Sequence, residues 1–176
     1  ALLMDPMLLI ADEPTTALDV TMEAQIIHLM RELQREFETT LMIVSHNLGL
    51  IAELCDEVVV MYAGQVCEIA PVHILFAQPA HPYTAALLST IPENAAVGGR
   101  LPVLPGVVPD AAAFPTGCRF QSRCPFATDV CMQQHIPLRQ LDNGHACRCI
   151  RIDEIDLAYE TRRNETSQSQ PVAIEW

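Results

Sequence analysis

The chain has 176 residues, half of them hydrophobic, and a formal net charge of −12 from 22 acidic and ten basic side chains. That length holds one ordinary domain, or part of a domain with an appendage. The acidic balance excludes a nucleic-acid surface, which needs clustered Lys and Arg. No apolar run approaches the ~18 residues of a membrane helix, and the opening residues do not read as a secretory leader.

In chain order, Ala1–Asp5 reads as the end of a helix, and Met7–Asp12 as a short buried strand that ends on two adjacent carboxylates, Asp12 and Glu13. Asp19 is placed to cap a helix over Val20–Phe37, where Val20, Ala24, Ile27, Met30, Leu33 and Phe37 recur at spacings of three and four. Thr40–Val44 is a second fully apolar strand, closed by Ser45 and His46. The two strands and their helix predict a parallel βαβ unit with a right-handed crossover. A short helix over Leu48–Leu54 follows. Glu57–Tyr62 and Gln65–Ile69 read as a hairpin turning at Ala63–Gly64. Pro71–Ala77 and Pro82–Ser89 are predicted helices that open on proline, where the missing N–H costs nothing.

The texture then changes. Five of the thirteen prolines fall between Ile91 and Pro115, which predicts a linker or an extended wrapping segment. Five of the seven cysteines crowd into residues 118–149, whereas Cys55 and Cys67 sit in apolar core patterns. Arg151–Tyr159 alternates apolar and charged residues, as a strand would, and Glu160–Gln170 is polar enough to predict disorder. The chain thus divides at the sequence level into 1–90, a proline-rich linker 91–116, a cysteine-rich module 117–150 and a tail 151–176.

Chemistry concentrates at the first strand. Ligands bind open α/β sheets at the carboxyl ends of their strands, and two ionised acids side by side repel unless a metal ion or a moving proton needs both. The bland alternative is a strand running into an acidic turn. Met7-Leu-Leu-Ile-Ala-Asp12-Glu13-Pro14, followed by Thr15-Thr-Ala-Leu-Asp19, closely resembles the Walker B motif and D-loop of ABC-type ATPases. The resemblance implies that Asp12 assists Mg²⁺, that Glu13 polarises the attacking water, and that Asp19 communicates across a dimer interface. His46 closes the next strand and matches the switch histidine of that family, whose imidazole contacts the γ-phosphate. Phosphoryl transfer is mostly positioning and charge stabilisation, so the three groups form a coherent set. Ser45 is a poor nucleophile for His46, since adjacent strand residues point to opposite faces.

All ten basic side chains are arginine. A phosphate loop of the form G-x-x-x-x-G-K-[ST] needs its lysine, so that loop does not lie in these residues, and the Gly98-Gly99 pair lacks the ABC signature context. His81-Pro-Tyr-Thr84, running on to Leu88 and Ile91-Pro92, looks like the C-terminal signature of the oligopeptide/dipeptide importer subgroup.

Thiolates are soft ligands that suit Zn²⁺ or an iron–sulfur cluster. Cys118-x5-Cys124-Pro-x5-Cys131, followed by His145-Ala-Cys147-Arg-Cys149, has no Cys-x2-Cys knuckle of the zinc-finger kind. Gly117–Pro125 resembles the C-terminal extension of peptide-importer ATPases, some of which carry a [4Fe–4S] cluster. That resemblance implies Cys118, Cys124, Cys131 and Cys149 as ligands, with Cys147 as the alternative fourth thiol and Zn²⁺ as the alternative metal. Free or disulfide-paired cysteines are the third reading.

The expected fold is therefore α/β: part of an ABC-type P-loop NTPase nucleotide-binding domain with a C-terminal cysteine-rich extension. The resemblance implies a peripheral subunit at the cytoplasmic face of the cell membrane. Its function would be hydrolysis of ATP with Mg²⁺, as a dimer beneath transmembrane permease subunits fed by a solute-binding protein. The rival expectations are a metal-binding regulatory or assembly module and a truncated product without activity of its own.

Overall fold

The computed structural model describes residues 6–37, 39–91, 104–155 and 157, and the chain divides between Asp56 and Glu57 into two compact units. In the first, β1 (Leu8–Asp12) and β2 (Thr40–Val44) pair in parallel, Leu8 opposite Thr40 and Asp12 opposite Val44. α1 (Val20–Phe37) connects them. Asp19 opens the helix as predicted: its carboxylate accepts the Met22 N–H at 2.9 Å, which satisfies one of the orphan donors of a first turn.

Leu9 and Leu41 share a small hollow with Met30 and Leu33 of α1, so the helix covers the sheet face that carries them. Leu8, Ile10, Met42 and Val44 occupy the alternate positions and are exposed, because period two sends them all to the opposite face. The strands are thus covered on one face only, where unbroken apolar runs predict burial on both. The helix stripe is narrower than predicted too: Ile27 is buried, Met30 and Leu33 are half-buried, and Ala24 and Phe37 are exposed. α2 (Leu48–Leu54) is capped by Asn47, whose side-chain oxygen accepts the Gly49 and Leu50 N–H groups at 3.0 and 3.2 Å. The same amide donates to Glu23 in the first turn of α1, and Arg31 of α1 pairs with Glu53 of α2 at 3.1 Å.

The second unit starts from the hairpin of β3 (Glu57–Tyr62) and β4 (Gln65–Pro71). Its turn residues Ala63 and Gly64 have φ of 49° and 73°, the positive values that a tight two-residue hairpin requires. The register shifts between Val60 and Met61, leaving Cys67 as the extra residue of a β-bulge. Cys67 and Glu68 are consequently buried in succession, against the strand alternation. α3 (Val72–Ala77) and α4 (Pro82–Leu88) follow, and Val60, Ala70 and Leu75 form a core with Val58, Ile74 and Tyr83 packed on it.

The sheet then continues into the cysteine-rich segment. β6 (Ala146–Cys147) pairs antiparallel with β4, and β5 (Arg139–Gln140) pairs with β6, giving the order β3-β4-β6-β5. Two-residue strands carry no periodicity, so the sequence offers no sign of them. Phe120 is 1 % exposed and packs edge-on against Tyr62, with ring centroids 5.2 Å apart; Tyr83 completes the aromatic cluster at 5.3 Å from Phe120. α5 (Asp129–Gln133) carries Cys131. Gly117 has a steric reason, since a Cβ there would lie 2.1 Å from the Cys131 carbonyl oxygen.

The predicted strand over Arg151–Tyr159 is corrected for its described residues. Arg151–Glu154 is a turn, closed by the Glu154 N–H on the Arg151 carbonyl at 2.9 Å. The Arg151 guanidinium is drawn instead to the Phe126 carbonyl at 2.7 Å and to Glu154 at 2.8 Å. The expected helix end at Ala1–Asp5, residues 92–103 of the proline-rich segment, and the polar stretch 160–170 lie outside the described residues.

Candidate functional site

The edge of β1 and β2 holds the first set of candidate residues. Pairing of the strands runs one residue past β1, the Glu13 N–H donating to the Val44 carbonyl at 2.8 Å. Glu13 then turns with φ of 48°, and Ala17 four residues on has φ of 66°. Left-handed backbone at non-glycine residues costs about 1–3 kcal/mol each and persists where the surroundings over-determine it. The turn is fixed by the Thr16 hydroxyl, which donates to Glu13 Oε2 at 2.8 Å.

His46, at the end of β2, places Nδ1 2.9 Å from the Glu13 carboxylate. Hydrogen bonds from His46 and then Thr16 hold the Glu13 carboxyl below the usual carboxylate range. In the neutral ring this geometry puts the proton on Nδ1 and leaves Nε2 as a second contact point. Both side chains are open to solvent, 38 % exposed for Glu13 and 79 % for His46. Asp12 stands beside them, exposed at the same edge. Asp19 is exposed as well and serves as the cap of α1. Ser45 Oγ accepts the Asn47 N–H at 3.0 Å, which ties it to the turn and not to His46.

The second set lies in the other unit. Cys118, Cys124, Cys131 and Cys149 all line one small apolar cavity of about 20 Å³, walled also by His81 and Phe126. Burial raises the Cys118 thiol, and raises those of Cys124 and Cys149 to about 11. Backbone N–H groups work against that rise: Phe120 at Cys118, Phe126 at Cys124 and Arg151 at Cys149, in each case from the residue two positions on. Cys147 sits elsewhere, fully buried on β6 opposite Glu68. All seven thiols are free. Among the described residues, no group of three or more His, Cys, Asp or Glu side chains is disposed to hold a metal ion.

Several polar residues behind this cavity escape a sequence reading. Glu68 is fully buried, and its carboxylate accepts the Ala80 N–H at 2.7 Å, the His81 N–H at 2.9 Å and His145 Nε2 at 2.7 Å. His81 caps α4 by accepting the Tyr83 N–H on Nδ1 at 3.0 Å. Burial, with the nearby Arg148 charge, pushes its ring down to about 4, against the pull of a hydrogen bond to the Arg148 backbone. Arg148 reaches the Val66 and Ile136 carbonyls at 2.7 and 2.8 Å. The one available signal was the His81-Pro-Tyr-Thr84 string, and it marks the helix start without revealing the contacts. No helix among the described residues is long and apolar enough to cross a membrane.

Residues 67–131 match a family described as the oligopeptide/dipeptide transporter C-terminal region. The chain is 48 % identical over 156 residues to a Sinorhizobium fredii protein named as a peptide ABC transporter ATP-binding protein, covering 88 % of this chain and 47 % of that one. It is also 48 % identical over 161 residues to a Brucella ovis protein named for peptide import and ATP binding, covering 88 % of this chain and 48 % of the relative. The chain therefore spans about half the length of the curated relatives it matches. The mixed strand and helix architecture agrees with an ABC-type α/β domain. With a shared sequence over most of its length and the transporter C-terminal region matched in its second unit, the chain is similar to the C-terminal half of proteins named as peptide ABC transporter ATP-binding proteins.

Proposed function

We propose that the chain is the hydrolytic and C-terminal part of the ATP-binding subunit that powers an ABC importer of peptides or similar small solutes. The observation that carries this reading is the Glu13–His46 pair at the carboxyl edge of β1 and β2, beside Asp12. In it, residues 1–90 derive from the ATPase domain, 91–116 connect, 117–150 form a cysteine-rich extension and 151–176 its tail. The partners are a second ATPase subunit, contacted through Asp19, and transmembrane permease subunits fed by a solute-binding protein, at the cytoplasmic face of the membrane.

The residues present fit the water-activating and Mg²⁺-facing side of a nucleotide site. They do not supply the phosphate-gripping side, for which the chain has no lysine. ATP with Mg²⁺, when bound, supplies the phosphoryl group and the charge that offsets it. Glu13, held ionised by its hydrogen bonds, is the acceptor that orients a water proton. His46 fixes that carboxylate through Nδ1 and presents Nε2 outward. Asp12 stands at the edge as a carboxylate for the metal. By this account the chain alone does not hydrolyse ATP. Assembled with its membrane partners in vesicles, the complete subunit should hydrolyse ATP in step with uptake of labelled di- or oligopeptides. Hydrolysis that no peptide couples to transport would break the reading.

For the extension we infer a [4Fe–4S] cluster held by Cys118, Cys124, Cys131 and Cys149. Support comes from the donor set: four thiols share one apolar cavity, and N–H groups that stabilise thiolate reach three of the sulfurs. Four thiolate donors suit an iron–sulfur cluster, with zinc as the alternative. The raised thiols imply that binding releases protons. Protein prepared without oxygen should contain iron and acid-labile sulfide in roughly equal amounts. One tightly held zinc would favour the alternative metal, and neither metal would leave free thiols.

A further inference from the structure

We propose that the buried Glu68–His145 pair is a positioning device that sets two walls of the thiol cavity, and above all the place of Cys149. The proposal builds on the cluster reading but concerns the shape of the site whether or not metal is bound.

Glu68 reaches its buried place through the bulge at Cys67. A buried carboxylate is costly unless its oxygens are satisfied, and here three donors converge on it. Two come from the backbone at Ala80 and His81, where the chain enters α4, and His81 is itself a wall of the cavity. The third is the His145 ring, 7 % exposed, one residue before β6. β6 then runs along β4 with Cys147 opposite Glu68, and the Arg148 N–H donates to the Cys67 carbonyl at 2.8 Å. Cys149 is the next residue, and it lines the cavity with Cys118, Cys124 and Cys131.

Register in so short a strand rests on few contacts, two of them from Arg148, whose N–H reaches the Cys67 carbonyl at 2.8 Å and whose guanidinium reaches the Val66 carbonyl at 2.7 Å. β6 has two residues paired with β4, and a slip of one residue would turn every side chain to the other face. That slip would exchange Cys149 for a neighbour at the cavity. Asn143 and Gly144, with φ of 59° and 74°, form the tight turn that delivers His145 to Glu68. The contact between residues 77 positions apart in sequence thus holds the register that brings Cys149 to the other three thiols. Cys118, Cys124 and Cys131 depend on a different device, the loop closed by the Cys118 N–H on the Cys131 carbonyl at 2.8 Å.

The test is thiol accessibility, residue by residue, in the metal-free 176-residue chain, read by mass spectrometry after timed treatment with iodoacetamide. Glu68→Gln keeps the shape but turns an amide toward N–H donors; His145→Gln probes the same contact from the other side. Either change should speed alkylation of Cys149 roughly ten- to hundredfold, the factor that corresponds to losing a hydrogen bond to a charged group. Cys118, Cys124 and Cys131 should stay within about twofold of the parent rates. Equal acceleration of all four thiols would mean that the pair only supports the fold, and unchanged Cys149 in both variants would sink the proposal. Iron analysis of the unmodified chain addresses the cluster separately, so a chain that binds no iron yet shows selective Cys149 exposure refutes the cluster and keeps the latch.

Discussion

The two units of this chain treat their polar side chains in opposite ways. In the first, Glu13 and His46 meet at an open sheet edge with most of the imidazole in solvent, and one whole sheet face of apolar side chains is exposed. In the second, Glu68, His81 and His145 are buried and satisfied by hydrogen bonds. Open polar groups contribute little to stability, and screening weakens them further; they are placed for something that arrives. Buried polar networks are costly to disturb and fix geometry. The difference separates residues whose loss should change a reaction from residues whose loss should change a shape.

The largest expected effect falls on the reaction. In the complete subunit His46→Ala should lower ATP turnover by about 10²–10³-fold, the usual cost of one well-placed polar catalytic group, with the melting temperature nearly unchanged because the side chain is exposed. A large drop in melting temperature would move His46 into the structural class. On the other side of the comparison, Gly117→Ala should destabilise the second unit by about 1–3 kcal/mol or more, since the added methyl meets the backbone of Cys131; denaturant unfolding reads this directly.

The pH dependence sharpens the contrast. Folding lowers the His81 ring from 6.5 to about 4, so between those values the unfolded state binds more protons than the folded one. Stability should therefore fall as pH drops through that window, by about 3 kcal/mol in full. His81→Asn keeps a helix-capping oxygen and should flatten that part of the profile. Glu13 works with the opposite group type: its lowered carboxyl favours folding above the unfolded value and loses that contribution at more acid pH, and its exposure keeps the effect small. Smallest of all should be Arg139→Ala. Its bidentate pair with Asp153, at 2.6 and 2.7 Å, lies on the surface, so the denaturant midpoint should barely move.

Legibility in the sequence follows the same division. The strand, helix and strand that carry Glu13 and His46 were readable because long periodic elements announce themselves, and β2 and α2 run over the predicted residues. The hairpin was readable from Ala63-Gly64. What the sequence could not show was made by tertiary contact. A carboxylate at Glu68 reads as a solvent-facing strand residue until the bulge turns it inward. Strands as short as β5 and β6 exist only because β4 offers an edge. The alternation over Arg151–Glu154 suggested a strand, but the arginine bonds a carbonyl and the backbone turns. The choice between Cys147 and Cys149 was open on spacing alone, whereas their surroundings differ plainly, one thiol packed opposite Glu68 and the other at the cavity.

Under the proposed function, Glu13 is the carboxylate that activates water in the complete ATP-binding subunit. The most direct measurement is ATP binding and hydrolysis by the complete subunit and its Glu13→Gln variant, side by side. The amide keeps the shape of the carboxylate but is a poor proton acceptor, so hydrolysis should fall by about 10²–10³-fold while Mg²⁺-ATP binding stays close to the parent value. A variant that hydrolyses ATP at a near-normal rate would contradict the claim and remove Glu13 from the chemistry.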